Sequence, residues 1–371
     1  FQFSVSITFL IGVIVGGAGT MAGPLIGTVV VALLPQLFER LYDYHLMIFG
    51  LILLLALLVM PEGLAGGILA LAKRWQGTPK GARVEGVGAA AGAARLGGVP
   101  AWLVPPVEQL ETLVRTTQLR MQFEGLVAIG DLDMQVQART VHGLIGPNGS
   151  GKSTMVNMLS GIYHPTAGRV TWRGREVAGA PPHVMASLGI TRTFQNLQLF
   201  PGLTVLENVL VGFHRHYKTG FLHWVTASRA QAREEAEFRH KALELLAMLG
   251  LEAEAGIPAG DLPYGKQRLV EIGRALALQP ALLILDEPAA GCGPGEIEEI
   301  MSVVSRLREA GLAILIVEHH MEMIMGLCDH VTVLDFGVKI AEGAPEAIQR
   351  DPRVIEAYLG GEEVAAIVGG H

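Results

Sequence analysis

A glycine-rich stretch restricts the possible folds of this chain more than any other part of it, because its fixed positions follow the pattern G-x-x-x-x-G-K-[ST]. It reads Gly146-Pro147-Asn148-Gly149-Ser150-Gly151-Lys152-Ser153-Thr154. The apolar run 140–145 before it predicts a buried strand, and 152–160 after it predicts a helix. This strand–loop–helix order is the context that the pattern requires. The stretch therefore predicts a nucleotide-binding loop.

The chemistry of the loop explains its composition. Residues without a Cβ atom let the backbone turn tightly, so that successive N–H groups and the positive end of the new helix face phosphate oxygens. Lys152 is expected on the β- and γ-phosphates, and Ser153 is expected to offer its hydroxyl to Mg²⁺ bridging the same phosphates. All the residues from Gly146 to Thr154 are predicted to surround the nucleotide.

Composition indicates contact with a membrane and excludes a nucleic-acid partner. The 371 residues suffice for two domains, and a mean hydropathy of +0.40 with 17% charged residues is high for a soluble protein. With a net charge of −7, the chain has no overall basic character that would suggest a nucleic-acid partner. Cys292 and Cys328 form no C-x-x-C motif, which predicts reduced thiols in a cytosolic compartment.

The first 75 residues are predicted to be an α-helical transmembrane segment. No Asp, Glu, Lys or Arg occurs from Phe1 to Phe38, a run that as one helix would be about 57 Å long against a hydrocarbon core of about 30 Å. The glycine-rich part 16–24 predicts a turn within it. Lys73-Arg74 predicts a cytoplasmic end. Because the chain starts without Met, we expect a fragment; the alternative is a buried apolar helical pair in a soluble protein.

The rest of the chain divides by composition. Residues 76–109 are rich in Ala, Gly, Val and Pro and predict a flexible linker, with an extra packed helix as the alternative. Residues 110–360 alternate strand-like and helical runs and predict an α/β domain, with a helical subdomain over about 197–280 and a tail at 361–371. Ser228-x-x-Gln231 fits a capping box inside the helical part.

Two apolar strands are predicted to carry acids and an imidazole to one sheet edge. The run 281–285 ends in Asp286 and Glu287, which suit a Mg²⁺ ligand and a group that orients or deprotonates the attacking water. The run 313–317 leads to His319, which is expected near the γ-phosphate. Phe123, about two dozen residues before Lys152, is a candidate for stacking on adenine and equally a core residue.

Taken together, residues 110–360 resemble the ATP-binding subunits of ABC transporters, and among them the branched-chain amino acid importers. The resemblance rests on GPNGSGKST, on TFQN at 193–196, on LPYGKQR at 262–268, on LILDEPAAG at 283–291 and on VEH ending at His319. The stretches 192–212 and 351–360 are marks of the branched-chain type. Residues 1–75 look like the C-terminus of the matching permease, which implies a fusion.

The resemblance implies a P-loop ABC-type fold, ATP hydrolysis with Mg²⁺, and further site residues. Gln195 would act as the coupling glutamine and a metal ligand with Ser153 and Asp286. Tyr264, Gly265 and Lys266 would face the γ-phosphate bound by a second ATPase subunit in a head-to-tail dimer. Permease subunits and an extracytoplasmic solute-binding protein would be partners, at the inner membrane with the ATPase in the cytoplasm.

Three related kinds of protein stay open as alternatives. They are an importer of urea or short amides, a lipopolysaccharide-export type ATPase, and a non-hydrolysing ABC domain. The apolar first 75 residues argue against the second, and intact Lys152, Asp286, Glu287 and His319 against the third. Two positions depart from the family pattern, because Gly293 replaces the usual Asn or Asp and His320 the usual Asp. These changes predict weaker coupling across the dimer, or a partner subunit that compensates.

Overall fold

The computed structural model describes residues 97–104, 111–219 and 229–359, together with isolated positions between 13 and 29. The chain separates into two compact units, Phe1–Ala91 and Gly92–His371, and the architecture below belongs to the second. The predicted transmembrane segment 1–75, the larger part of the predicted linker and the tail 361–371 lie outside the described residues. Within the described ranges, no helix combines the length and apolar character needed to cross a membrane.

A six-stranded sheet forms the centre of the second unit, in the order β10-β9-β3-β8-β7-β6. Its strands are β3 (Val141–Ile145), β6 (Ile190–Arg192), β7 (Leu282–Asp286), β8 (Ala313–Val317), β9 (His330–Asp335) and β10 (Val338–Gly343). All neighbours pair in parallel except β9 and β10. Every residue of β3, β7 and β8 is buried, as expected for parallel strands covered on both faces. The three apolar strands predicted around the site are therefore confirmed.

A separate antiparallel sheet, β2-β1-β4-β5, packs beside it. Its strands are β1 (Thr112–Phe123), β2 (Leu126–Gln137), β4 (Ala167–Trp172) and β5 (Arg175–Glu176). The expectation of helical segments between the early strands is wrong, because β1 and β2 form a hairpin joined by Glu124 and Gly125. Alternating buried and exposed residues in β2 show that one face covers the core and the other meets solvent.

Nine α-helices are assigned within the described ranges. They are α1 (Lys152–Leu159), α2 (Pro182–Ser187), α3 (Val205–Gly212), α4 (Arg229–Leu249), α5 (Tyr264–Leu276), α6 (Pro294–Glu309), α7 (Met321–Leu327), α8 (Pro345–Ile348) and α9 (Pro352–Leu359). Two buried clusters result. One joins α3, α4, α5 and α6 to one face of the six-stranded sheet, and the other joins α1 and the antiparallel sheet to its opposite face.

The stretch 200–250 is less continuous than the predicted helical run. It contains α3, a 3₁₀ turn at Phe213–His216 and α4, while residues 220–228 lie outside the described part. Ser228 of the predicted capping box belongs to that undescribed stretch. A capping box does occur earlier, where Thr204 and Glu207 satisfy each other's backbone N–H groups at the start of α3.

Residues 97–104, here called the strap, correct part of the linker prediction. Leu103 is fully buried, and the indole Nε1 of Trp102 donates to Glu244 Oε2 on α4 over 2.6 Å. The Gly97 N–H donates to Ala247 O on α4, and Arg306 Nη1 on α6 donates to Gly97 O, each over 2.9 Å. This stretch is therefore not a free tether, since apolar burial and backbone hydrogen bonds fix it to two helices.

Candidate nucleotide-binding site

The candidate site is built on one edge of the six-stranded sheet. Parallel strands end at the same edge, so the loops that follow β3, β6, β7 and β8 converge there. The phosphate loop follows β3, and Gln195 comes three residues after β6. Asp286 ends β7 with Glu287 next to it, and His319 follows β8. The topology thus gathers groups that are distant in sequence.

Two glycines of the phosphate loop hold conformations that other residues rarely adopt. Gly146 has φ 151° and Gly151 has φ 102°. A Cβ atom at Gly146 would lie 2.1 Å from the Leu334 carbonyl oxygen, and one at Gly151 would lie 2.7 Å from that of Ala128. Side chains are therefore excluded at both positions. The loop passes directly into α1, which begins after Gly151 without a side-chain cap, and the first N–H groups of a helix have no partner within it.

Lys152 lies across this loop. Its side chain is largely buried, and Nζ donates to the carbonyl oxygens of Gly146 over 2.7 Å and Pro147 over 2.9 Å. Burial lowers the pKa of Lys152, while the nearby carboxylates of Glu287 and Asp286 act in the opposite direction. The Lys152 ammonium is bound by carbonyl oxygens that carry no net charge. Its positive charge therefore stays available to an anionic ligand, although two acids lie near it.

Asp286 is fixed by the end of β6. Its buried carboxylate Oδ2 pairs with Arg192 Nη2 at 2.7 Å, and its N–H donates to Thr193 Oγ1 over 3.3 Å. Arg192 in turn donates to Asn157 Oδ1 on α1 over 2.6 Å. A single guanidinium therefore links the strand that carries Asp286 to the helix that follows the phosphate loop. Sequence reasoning missed this role of Arg192.

Gln195 and Glu287 are in direct contact. The Gln195 amide Nε2 donates to Glu287 Oε2 over 2.9 Å. Glu287 has φ 48°, in the left-handed region that costs a non-glycine residue about 1 kcal/mol or more. Its carboxylate is partly exposed, and Gln195 is exposed. The structure thus brings two of the predicted site residues together at the solvent side of the edge.

Glu318 is a buried acid that sequence reasoning passed over. It is 0% exposed, and its two oxygens accept the N–H groups of Ala289, His319 and His320 at 2.8, 2.9 and 3.2 Å. It therefore fastens the chain after β8 to the chain after Glu287. The His319 ring is half exposed at the same edge. The sequence did contain a signal for Glu318, because it is an acid placed directly after a wholly apolar strand.

The predicted signature residues Tyr264, Gly265 and Lys266 begin α5 at another place. The Gly265 N–H donates to Glu296 Oε1 on α6 over 2.9 Å, and the Gly293 N–H donates to Oε2 of the same carboxylate over 2.9 Å. Among the described residues, no hydrogen bond joins these three residues to the phosphate loop of their own chain. Their predicted role toward a partner's nucleotide stays a prediction.

Three further predicted positions have clear surroundings. Phe123 ends β1, is 38% exposed and packs edge-on against Tyr163 at 5.3 Å between ring centroids. Gly293 has an ordinary φ of −76° and room for a Cβ atom, so its backbone does not require glycine. His320 precedes α7 and is bound through its N–H to Glu318. The proposed adenine contact and the weaker coupling stay predictions.

Both cysteines are free thiols, as predicted. Cys292 is half-buried next to Gly293, and burial raises its pKa. Cys328 is buried, and its burial raises the pKa of the thiol to about 12. A thiol with a raised pKa is a poor nucleophile. Neither residue is therefore suited to nucleophilic chemistry at this edge.

Comparison with known proteins gives two family matches. Residues 129–290 match the family described as ABC transporter, and residues 338–364 match the one described as branched-chain amino acid ATP-binding cassette transporter. The high-affinity branched-chain amino acid transport ATP-binding protein BraF of Pseudomonas aeruginosa is 41% identical over 249 residues, which are 67% of this chain and 98% of BraF. LivG of Escherichia coli, of the same description, is 39% identical over 251 residues, with the same coverage.

Solved structures agree with this likeness. The ADP conformation of MJ1267, an ATP-binding cassette of an ABC transporter, is 34% identical with a TM-score of 0.60, over 67% of this chain and 99% of that one. The dimeric structure of MJ0796, a bacterial ABC transporter cassette, is 26% identical with a TM-score of 0.54, over 63% of this chain and 99% of that one.

Proposed function

Because the chain belongs to the ATP-binding subunits of branched-chain amino acid ABC transporters, we propose that it hydrolyses ATP to drive import of leucine, isoleucine, valine or related amino acids. The observation that carries the proposal is the sheet edge at which the Lys152 ammonium lies in a glycine cradle beside Asp286 and Glu287. The match of residues 338–364 to the branched-chain family supports the substrate class.

The residues at this edge fit a magnesium nucleotide. Ser153 is exposed at the start of α1, Gln195 is exposed, and Asp286 uses only Oδ2 in its pair with Arg192. Hydroxyl, amide and carboxylate oxygens are the hard ligands that Mg²⁺ accepts. We assign these three residues to the metal, which would neutralise charge on the β- and γ-phosphates.

The remaining groups would act on phosphate and water. Lys152 would bind the β- and γ-phosphates, and the loop from Gly146 to Thr154 would donate its N–H groups to them. Glu287 would orient or deprotonate the attacking water, and Gln195 holds its carboxylate through the 2.9 Å hydrogen bond. His319 would contact the γ-phosphate. Phe123, whose side chain is 38% exposed, would stack on the adenine.

Partners follow from the family. A second ATPase subunit would complete the site head to tail, with Tyr264, Gly265 and Lys266 facing its γ-phosphate. Permease subunits would dock on the helical subdomain, where an open groove of about 560 Å³ lies along α3 beside Leu203, Leu210 and Val211. An extracytoplasmic solute-binding protein would deliver the amino acid. The ATPase would then work in the cytoplasm at the inner membrane.

We also propose that residues 1–75 are the C-terminal part of the matching permease, fused to the ATPase through residues 76–109. Support comes from the sequence, since no charged residue occurs from 1 to 38 and Lys73-Arg74 follows the apolar runs. The ATPase would occupy 110–360, with the helical subdomain over about 197–280.

Transport is the decisive test. The complete transporter, with permease partners and binding protein, would be reconstituted and the uptake of labelled leucine, valine and urea measured. We expect ATP-dependent uptake of leucine and valine that Lys152→Ala abolishes, because the loop then lacks its phosphate-binding cation. Lys152-dependent uptake of urea alone would contradict the substrate assignment. ATP hydrolysis without Lys152-dependent uptake of any of the three would contradict the importer.

A further inference from the structure

A buried ion pair on α5 holds the loop that carries Gln195. Arg268 and Glu271, here called the clamp, are each 2% exposed and pair at 3.1 Å between Nη1 and Oε2. They lie three residues apart, so both side chains leave the same face of the helix. Burying two charges costs free energy that their mutual attraction offsets only when further hydrogen bonds are made. The clamp therefore needs further hydrogen-bond partners to be stable in this buried place.

The further bonds all go to the backbone of two residues. Arg268 Nη1 donates to the Phe194 carbonyl oxygen over 2.8 Å, and Nη2 donates to that of Gln195. Glu271 Oε1 accepts the Phe194 N–H over 3.2 Å. Three backbone groups of Phe194 and Gln195 are thus bound, two carbonyl oxygens by Arg268 and one N–H by Glu271. The flat guanidinium meets two carbonyls and one carboxylate at once, which an ammonium does not reproduce.

The position of these peptide groups decides where the Gln195 side chain lies. Phe194 and Gln195 are exposed and belong to neither a helix nor a strand, so side-chain packing contributes little to holding them. From this backbone, the Gln195 amide reaches Glu287 over 2.9 Å. A continuous set of contacts therefore runs from α5 through the clamp and the Gln195 backbone to the Glu287 carboxylate.

We infer that Arg268 and Glu271 are positioning residues for ATP hydrolysis, which set the place of Gln195 and through it the Glu287 carboxylate. This inference rests on the proposed function. The hydrogen bonds and ion pairs described for the two side chains go to each other, Phe194 and Gln195 and not to the phosphate loop, so they act on the chemical step rather than on nucleotide binding. Because α5 begins with the signature residues 264–266, the clamp also ties that helix to the hydrolytic edge of its own chain.

The test uses the complete chain and separates turnover from binding. Arg268→Lys keeps the positive charge but loses the planar guanidinium that binds two carbonyl oxygens and a carboxylate at once. We therefore expect kcat to fall about 10- to 100-fold, which is the effect of displacing a catalytic group by about 1 Å. The dissociation constant of ATP, measured with EDTA, should change by less than about threefold. Glu271→Gln should give the same pattern. Arg233→Lys and Glu299→Gln, which change exposed residues, are matched controls.

A double mutant distinguishes positioning from general destabilisation. If the clamp acts through Gln195, adding Arg268→Lys to Gln195→Ala should lower kcat little further, because the side chain it positions is already gone. Additive losses of kcat, or a loss of ATP affinity equal to the loss of kcat, would overturn the inference. An inactive wild-type chain would contradict the proposed function instead. Circular dichroism and Tm of every variant check that it folds.

Discussion

Glu287 is the residue whose chemistry is most open to a direct test. Its carboxylate accepts the Gln195 amide, and its neighbour Asp286 is engaged with Arg192. Glu287→Gln keeps the shape but removes the basic oxygen, so ATP should bind and stay unhydrolysed. We expect kcat to fall by about 100-fold or more, since general-base catalysis contributes that much. Hydrolysis of radiolabelled ATP and retention of ATP on the protein measure both effects.

The outcome that would remove Glu287 from this role is turnover within about twofold of wild type. Asn157→Asp is a suitable comparison, because it also exchanges an amide and a carboxylate near this edge, in the opposite direction. That substitution should strengthen the contact with Arg192 and leave Glu287 in place.

His142 gives a prediction about stability. It is buried in β3, bound through Nε2 to Thr332 Oγ1 at 2.9 Å, and burial together with His330 and Lys339 lowers its pKa from 6.5 to about 3. Below pH 6.5 the unfolded chain takes up a proton that folded His142 does not. Folding therefore loses stability as pH falls from 6.5 towards 3, approaching about 1.4 kcal/mol per pH unit.

His142→Gln keeps a hydrogen-bonding group but no longer titrates, so its stability should fall less between about pH 7 and about pH 5. Chemical denaturation followed by circular dichroism measures this difference. The exposed His183→Gln is the control and should follow wild type. Parallel curves for wild type and His142→Gln would contradict the prediction.

At this scale, much of the site was predictable, because a phosphate loop needs glycine and lysine at fixed spacing. Gly146 and Gly151 have the positive φ values that a tight loop needs, and the Lys152 ammonium is bound to the Gly146 carbonyl oxygen of the same loop, while the contact with phosphate stays a prediction. The tertiary contacts of other residues were not predictable. Glu318 and Arg192 bind groups that lie tens of residues away in sequence, and no local pattern records those pairs.

Among the elements, the strap 97–104 gives a prediction of its own. Its Leu103 is buried against the helical cluster, and Trp102 lies 5.9 Å from the Phe213 ring and is hydrogen-bonded to Glu244. Leu103→Ala should therefore destabilise the second unit by about 2–5 kcal/mol, the usual cost of emptying a buried leucine site. Thermal unfolding gives the shift of Tm.

Ala101→Ser is the matched control, because Ala101 is exposed in the same strap and should leave Tm unchanged. If Leu103→Ala behaves like that control, the strap does not pack in solution. Protection of the Gly97 N–H against hydrogen exchange gives a second reading, since this strap N–H donates to the Ala247 carbonyl oxygen on α4.

Element types were predicted best where burial alone decides them. Wholly apolar runs ending in acids became β7 and the edge of the site, as expected for parallel strands. The β1–β2 hairpin was missed because Glu124 and Gly125 form a short turn inside what looked like separate segments. The strap was missed because its Gly, Val and Pro content resembles a linker, and burial on α4 is a tertiary effect.

On the scale of the whole molecule, the second unit separates its two cores by function. One core carries the helices α3 to α6, including the helix that holds Gln195, while the other supports α1 and the phosphate loop. The six-stranded sheet lies between them and belongs to both. The two cores therefore contact the sheet from opposite faces, with α3 to α6 on one face and α1 with the antiparallel sheet on the other.

The left-handed backbone of Glu287 has an evolutionary consequence for this whole unit. A glycine there would relieve the strain at φ 48°, so the substitution that removes the carboxylate also favours the fold. Under the role proposed for Glu287, selection for stability alone would favour a protein that binds ATP without hydrolysing it. Under the same role, only selection for ATP turnover would keep an acid at this strained position.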